Sequence, residues 1–275
     1  MTAILQGMNT TDKPAGSDVI FLTDLVDQRQ AVDTLVSESR ADGDYYLYLI
    51  VSGLIACLGL LNDNPVVVIG AMLIAPALFP ILSLGLAVVT RSKQALFRAL
   101  KAIIYSFVAV VGSTAILAFM FIYLVSNEEL NRTIILASSP NETSWIIAGL
   151  SGLIASYAWV KQSQSALLPG VAIAVSLVPP LANIGIGIVL FSKQVFTGSL
   201  ITFIINLLMI TFVSVLVFAL FGFAEMRNWQ SLRLRQEERE IKADRQKVEN
   251  TVEKIAARVE EKLEEADRAK ENNPD

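Results

Sequence analysis

Few residues in this chain are of a type that does chemistry. It has no histidine and one cysteine, Cys57, which sits inside an apolar run. This composition excludes an intrachain disulfide and any histidine-based zinc, haem or triad chemistry. A thiol in that setting reads as a small packing residue. No nucleophile–base pair or metal-ligand set stands out, so neither enzyme activity nor a cofactor is expected.

What remains is polar structure embedded in apolar sequence, in two proline-bearing segments at 70–80 and 169–183. A proline removes an amide donor and clashes with the preceding turn. The residue before it avoids the α region, so Pro179-Pro180 is expected to break a helix. Carbonyls freed at membrane depth must be met by protein, water or a ligand. Candidate solute-binding groups are therefore the carbonyls near Ala75, Pro76, Val178 and Pro179, with the side chains of Ser83, Ser176 and Asn183. Gly70, Pro80, Gly170 and Pro180, which shape the two segments, and Asn206, the most polar side chain of a later apolar run, complete the set of candidate solute-binding residues. The plainer alternative makes the prolines structural kinks whose polar groups are met by neighbouring helices, with Asn206 simply hydrogen-bonding between helices.

The elements that must position these groups are membrane helices. The chain of 275 residues is 53% hydrophobic and 17% charged, with the apolar residues in long runs instead of at the spacing of a soluble helix or strand. Six apolar segments fall at 45–61, 65–90, 102–125, 144–160, 166–191 and 195–223, without charges away from their ends. A bilayer core of about 30 Å takes roughly 20 helical residues, and a central charge costs about 2.5 kcal/mol or more, so six spans are expected. Lys and Arg concentrate at Arg91, Lys93, Arg98 and Lys101, and again at Arg227, Arg233 and Arg235. By the positive-inside rule both termini lie in the cytoplasm, with Lys193 the one exception. No basic patch is long enough to suggest nucleic acid. The Asn-x-Thr matches at Asn131 and Asn141 carry little weight.

Residues 1–17 are polar and small and read as disordered, with no signal-peptide pattern. From 18 to 44 apolar residues recur at spacings of three and four, an amphipathic helix expected to pack on the protein's own cytoplasmic face. After Glu225, Leu234, Ile241, Val248 and Ile255 repeat every seven residues, as do Val252, Val259 and Ala266. The heptads predict a cytoplasmic coiled coil over 225–270 that joins copies of the chain, with breaks at Arg245 and Lys262. A lone solvated helix is the alternative.

The sequence also repeats itself. Ser-Gly-Leu-Ile-Ala occurs at 52–56 and 151–155, and Ser-Lys-Gln at 92–94 and 192–194. Gly70, Pro80 and Gly85 match Gly170, Pro180 and Gly185, at an offset of 99 early in the register and 100 later. Each copy, 45–125 and 144–223, holds three spans, and an odd number inverts the second copy in the membrane. The expected fold is an all-α integral membrane protein of two inverted three-helix repeats, each with a proline-broken middle helix, followed by the coiled coil. Inverted repeats are a recurring plan of secondary transporters, whose sites lie at the repeat interface near the midplane.

The stretches Ser-Gly-Leu-Ile-Ala at 52–56, Val-Ile-Gly-Ala-Met-Leu-Ile-Ala-Pro at 68–76 and Leu-Pro-Gly-Val-Ala-Ile-Ala through Val-Pro-Pro-Leu to Leu181 resemble the DUF389 family of prokaryotic hydrophobic membrane proteins. Ala77 departs from the leucine-type residue usual after Ala75-Pro76. The resemblance, over about 45–223, implies a fold and an inner-membrane location, and it carries over no substrate. The expected function is transport or conduction of a small ion or solute through the lipid bilayer. The absence of carboxylates or histidines at membrane depth argues against proton coupling. The alternative is a non-transporting oligomeric scaffold or sensor with a cytoplasmic platform.

Overall fold

The structure, a computed structural model, describes residues 25–39, 41–124, 131–161 and 167–271. The tail at 1–17, the first part of the amphipathic segment, and the side chains of Ile255, Val259 and Ala266 in the heptad pattern lie outside the described residues. Among the described residues all regular structure is helical: α1 (Leu25–Glu38), α2 (Gly43–Leu61), α3 (Pro65–Met72), α4 (Leu78–Val89), α5 (Lys93–Leu124), α6 (Arg132–Ala137), α7 (Glu142–Val160), α8 (Leu167–Val189), α9 (Lys193–Leu220) and α10 (Arg227–Glu271). Helices α2, α5, α7 and α9 are long and apolar enough to cross a membrane, while α4 and the 176–189 portion of α8 are shorter apolar helices.

Helix boundaries follow from side-chain caps. Asp42 accepts from the Tyr45 amide at the start of α2, and Asn64 accepts from Val66 and Val67 with Pro65 in the first turn of α3. The two Asn-x-Thr asparagines are caps as well, Asn131 for α6 and Asn141 for α7.

The Ser-Lys-Gln tripeptides sit in two turns built alike. Arg91 and Phe191 are both left-handed, at φ +53° and +49°. Ser92 N–H donates to Ala87 O and Ser192 N–H to Gly187 O, each at 3.1 Å. This pattern closes a helix by satisfying its last carbonyls. Each serine hydroxyl then caps the next helix, accepting from Ala95 N and Val195 N at 3.4 Å. The repeated tripeptide thus encodes a repeated helix–turn–helix.

Two long helices organise the packing. Helix α5 lies against α2, α4 and α8, and α9 lies against α4, α7 and α8. Glycines set the closest approaches. A Cβ on Gly53 would lie 2.8 Å from Val110 on α5, and one on Gly152 would lie 2.9 Å from the Ile210 carbonyl on α9. Further along, Gly85 meets Ser214 on α9 and Gly185 meets Thr114 on α5. Cys57 and Ser156 repeat the pairing: the thiol lies 3.7 Å from Thr114 O, and Ser156 Oγ lies 2.8 Å from Ser214 Oγ. In every pair the positions are related by the 99 or 100 offset of the sequence.

Helix α1 is held under α4, α7 and α10 through buried Ala31, Val32, Leu35 and Val36. Trp159 Nε1 donates to Ala31 O at 3.1 Å, and Trp229 Nε1 to Asp33 at 2.8 Å. Asp33 also pairs with Arg233 at 2.9 Å. The beginning of α10 is therefore part of the core. Leu234, the first heptad position, is buried there, and Arg98 on α5 grips Glu237 in a two-point ion pair at 2.6 and 2.8 Å. The heptad pattern alone does not reveal this, because an apolar residue at a seam position packs equally well inside its own chain. Farther along, Val248 and Val252 are exposed.

Short α6 closes the opposite end. Asn131 donates to the carbonyls of Leu60 and Leu61 at 2.7 and 3.0 Å, and Thr133 donates to Asp63 through its amide and its hydroxyl. Those two hydrogen bonds, the hydroxyl's first, hold the Asp63 carboxyl below its ordinary range, so it is an ionised acceptor at neutral pH.

Candidate functional site: two cavities and an apolar plug

The first proline segment is broken as expected. Helix α3 ends at Met72, residues 75–77 are non-helical, and α4 begins at Leu78. The carbonyl of Ala71 accepts from Ile74 N at 3.1 Å and from Ser52 Oγ at 2.8 Å. The chain thus meets its own freed group. Pro80 falls in the first turn of α4, where a missing N–H costs nothing because that turn has no intrahelical acceptor.

The second segment corrects the expectation of a break. Helix α8 runs unbroken through Pro179 and Pro180. In a regular helix the Ser176 carbonyl accepts from residue 180, which here has no N–H. Asn206 on α9 donates its Nδ2 to that carbonyl at 2.8 Å. A side chain from the neighbouring helix stands in for the missing amide, a means by which helices tolerate proline in a membrane. Asn206 is 2% exposed, and its Oδ1 has no partner among the described residues.

Around these segments lie three cavities. One, of about 370 Å³, is lined by Pro76, Phe79, Ser37, Tyr45 and Tyr48 together with Asp42 and Asp44. A second, of about 150 Å³, is lined by Ser176, Pro179, Pro180, Thr202 and Asn206 with Ser144, Ile147 and Leu136. Ser37, Tyr45, Tyr48, Pro76 and Phe79 of the first correspond, at offsets of 99 or 100, to Leu136, Ser144, Ile147, Ser176 and Pro179 of the second. A third, smaller cavity of about 40 Å³ is lined by Ala77, Pro80 and Ile81 together with Leu177, Val178 and Leu181. Phe107 and Phe203 close it, ring centroids 5.6 Å apart, and its polar groups include the hydrogen-bonded pair Tyr45 Oη and Ser106 Oγ at 2.9 Å. Tyr45 borders both this cavity and the first, and Val178 lies one residue from Pro179 of the second.

The sequence-derived candidates sort accordingly. Pro76 lines the first cavity; Ser176, Pro179, Pro180 and Asn206 the second; Pro80 and Val178 the plug. Ala75 packs against the apolar core. Three candidates fall elsewhere. Gly70 is exposed, with open space where a Cβ would be. Ser83 is buried on α4, outside these cavities. Asn183 turns away to donate to Ile134 O and Ser199 Oγ, both at 2.9 Å, and so ties α6 to α8 and α9. Gly170 lies within α8, and its surroundings fall outside the described residues. Sequence reasoning missed Tyr45, Thr202 and the Phe107–Phe203 pair. A signal for Thr202 exists: it precedes Asn206 by four residues, one helical turn on the same face.

An all-helical fold with four helices apolar enough for a bilayer, gathered around proline-rich segments, is the build of a membrane protein. The chain belongs to the family described as "Domain of unknown function (DUF389)", whose pattern matches residues 72–212. It is similar to an uncharacterised protein of Methanocaldococcus jannaschii, 28% identical over 184 residues, which cover 67% of this chain and 56% of that protein. The chain thus spans little more than half the length of that curated relative. No solved structure matches it.

Proposed function

We propose that this protein is a transporter or channel for a small ion or solute, which passes between the two polar cavities when the apolar plug opens. In this reading six segments span the inner membrane of a prokaryote: α2, α3 with α4, α5, α7, α8 and α9. They form two inverted triplets, and both termini are cytoplasmic. The observation that carries the proposal is the correspondence of the two cavities, lined at matching positions, with a smaller apolar cavity beside them that would act as the plug. Inversion puts one cavity on each face of the membrane, an arrangement that alternating access requires. The small apolar plug fits a closed state, since hydrophobic constrictions gate by excluding water. The test is a flux screen in proteoliposomes over small cations, anions and neutral solutes. Protein-dependent passage of one class is expected, and equality with protein-free vesicles for all of them would refute it.

A scaffold or sensor is the second reading, favoured by one observation. Val248 and Val252, spaced to share a face of α10, are 63% and 60% exposed, as an unpaired coiled-coil seam would be. The two readings are compatible if α10 joins several copies of the transporting unit.

A further inference from the structure

We infer that the cavity beside Pro179 and Pro180 is a binding site for a monovalent cation, with Asn206 Oδ1 and Thr202 Oγ1 as ligands. This rests on the reading of a passage and names the class of solute that uses it.

Asn206 has one acceptor and two donor hydrogens on its amide nitrogen. That nitrogen is engaged with Ser176 O at 2.8 Å, so the side chain is held in one orientation. Its Oδ1 remains, deeply buried and without a partner among the described residues. A buried amide oxygen left unmet costs about 1–3 kcal/mol, which a ligand at this cavity would recover. Thr202, one turn earlier, is 6% exposed, and its hydroxyl donates to Gly198 O at 2.9 Å. With that hydrogen committed, the hydroxyl presents lone pairs. Pro179 and Pro180 have no N–H to offer. The wall therefore presents Asn206 Oδ1 and the Thr202 lone pairs as acceptors, beside the second Asn206 amide hydrogen and the Ser144 hydroxyl, which can donate or accept.

Such a wall has no cationic side chain to hold an anion, and its deeply buried unmet oxygen suits a cation. No Asp, Glu, Lys or Arg is among the residues that line it. Magnesium and calcium are usually held through carboxylates, and magnesium gives up its water reluctantly. Neutral oxygens are sufficient for a singly charged ion, as where carbonyl rings replace its hydration shell. The corresponding cavity agrees in sign. It carries Asp42 and Asp44, and the hydroxyl of Ser37 is spent on Thr34 O. A monovalent cation meets acceptors at both ends.

The test separates binding from passage. Thermal unfolding of the full chain in detergent is followed in sodium, potassium and choline chlorides, and in sodium gluconate, at matched ionic strength. Stabilisation by sodium or potassium, retained in gluconate and absent with choline, is expected. Thr202→Val keeps the shape, and it should raise the apparent dissociation constant about tenfold by removing one ligand oxygen, with Thr202→Ser restoring it. Stabilisation that follows the anion, is absent for both cations, or is unchanged in Thr202→Val overturns the site. Cation flux into proteoliposomes is then measured separately. Binding without flux of any solute leaves the site and refutes the passage; flux of anions or neutral solutes alone leaves the passage and refutes the site.

Discussion

Phe203→Ala should convert a gated passage into a leak, raising cation flux into proteoliposomes about tenfold or more, as loss of a dewetting constriction does. Phe203 is 8% exposed and lines the plug from α9, one residue after Thr202 and three before Asn206. Its ring meets Phe107 from α5, so removing it deletes one half of the closure. Truncating a buried phenylalanine also costs about 3–5 kcal/mol of stability. A control must therefore lose stability without opening anything. Phe218 serves, being fully buried against Phe223 near the start of α10 and away from the plug. Phe218→Ala should lower the unfolding temperature and leave flux at the wild-type level. Equal flux from both variants would mean that general loosening, not the plug, controls passage.

The second large effect is on packing. Gly185→Ala should destabilise the protein by about 1–3 kcal/mol, the usual range for overpacking. A methyl at Gly185 would overlap Thr114 Oγ1 and lie 2.8 Å from Ala115 N and 2.9 Å from Val111 O. The threonine side chain can rotate, but the backbone of α5 cannot yield without parting the helices. At the corresponding Gly85 the only comparably close atom is Ser214 Cβ at 2.9 Å, so Gly85→Ala should cost less. Gly70 has open space, and Gly70→Ala should be neutral or stabilising, since alanine is favoured over glycine inside a helix by about 0.5–1 kcal/mol. Thermal unfolding of the three variants gives the ranking. Equal losses would contradict the close α5–α8 approach.

Much of this was legible in the sequence because it is written in strong local signals. Long apolar runs and the repeated Ser-Lys-Gln are each decided by a few neighbouring residues. The family resemblance was legible for the same reason: its motifs are contiguous. The fate of the prolines was only half legible. Pro76 breaks its helix, but Pro179-Pro180 does not, because support comes from Asn206 on another helix, 30 residues from the carbonyl it serves. No local rule contains that partner. Asn183 points away from the cavities for the same reason: its chemistry is plain in the sequence, but its direction depends on where α6 docks. The end of α10 that packs on α1 looked like coil, because Leu234 satisfies a heptad and a core equally.

The most direct measurement of the central claim is the sidedness of the two cavities. With Cys57→Ser as background, the residue that stands at the corresponding position 156, single cysteines are placed at Ser37 and Ser144. Cells or oriented vesicles are then treated with a membrane-impermeant thiol reagent. Ser144→Cys should react only from outside and Ser37→Cys only from the cytoplasmic side. Reaction of both from the same side would contradict the inverted arrangement, and with it the passage between the two cavities.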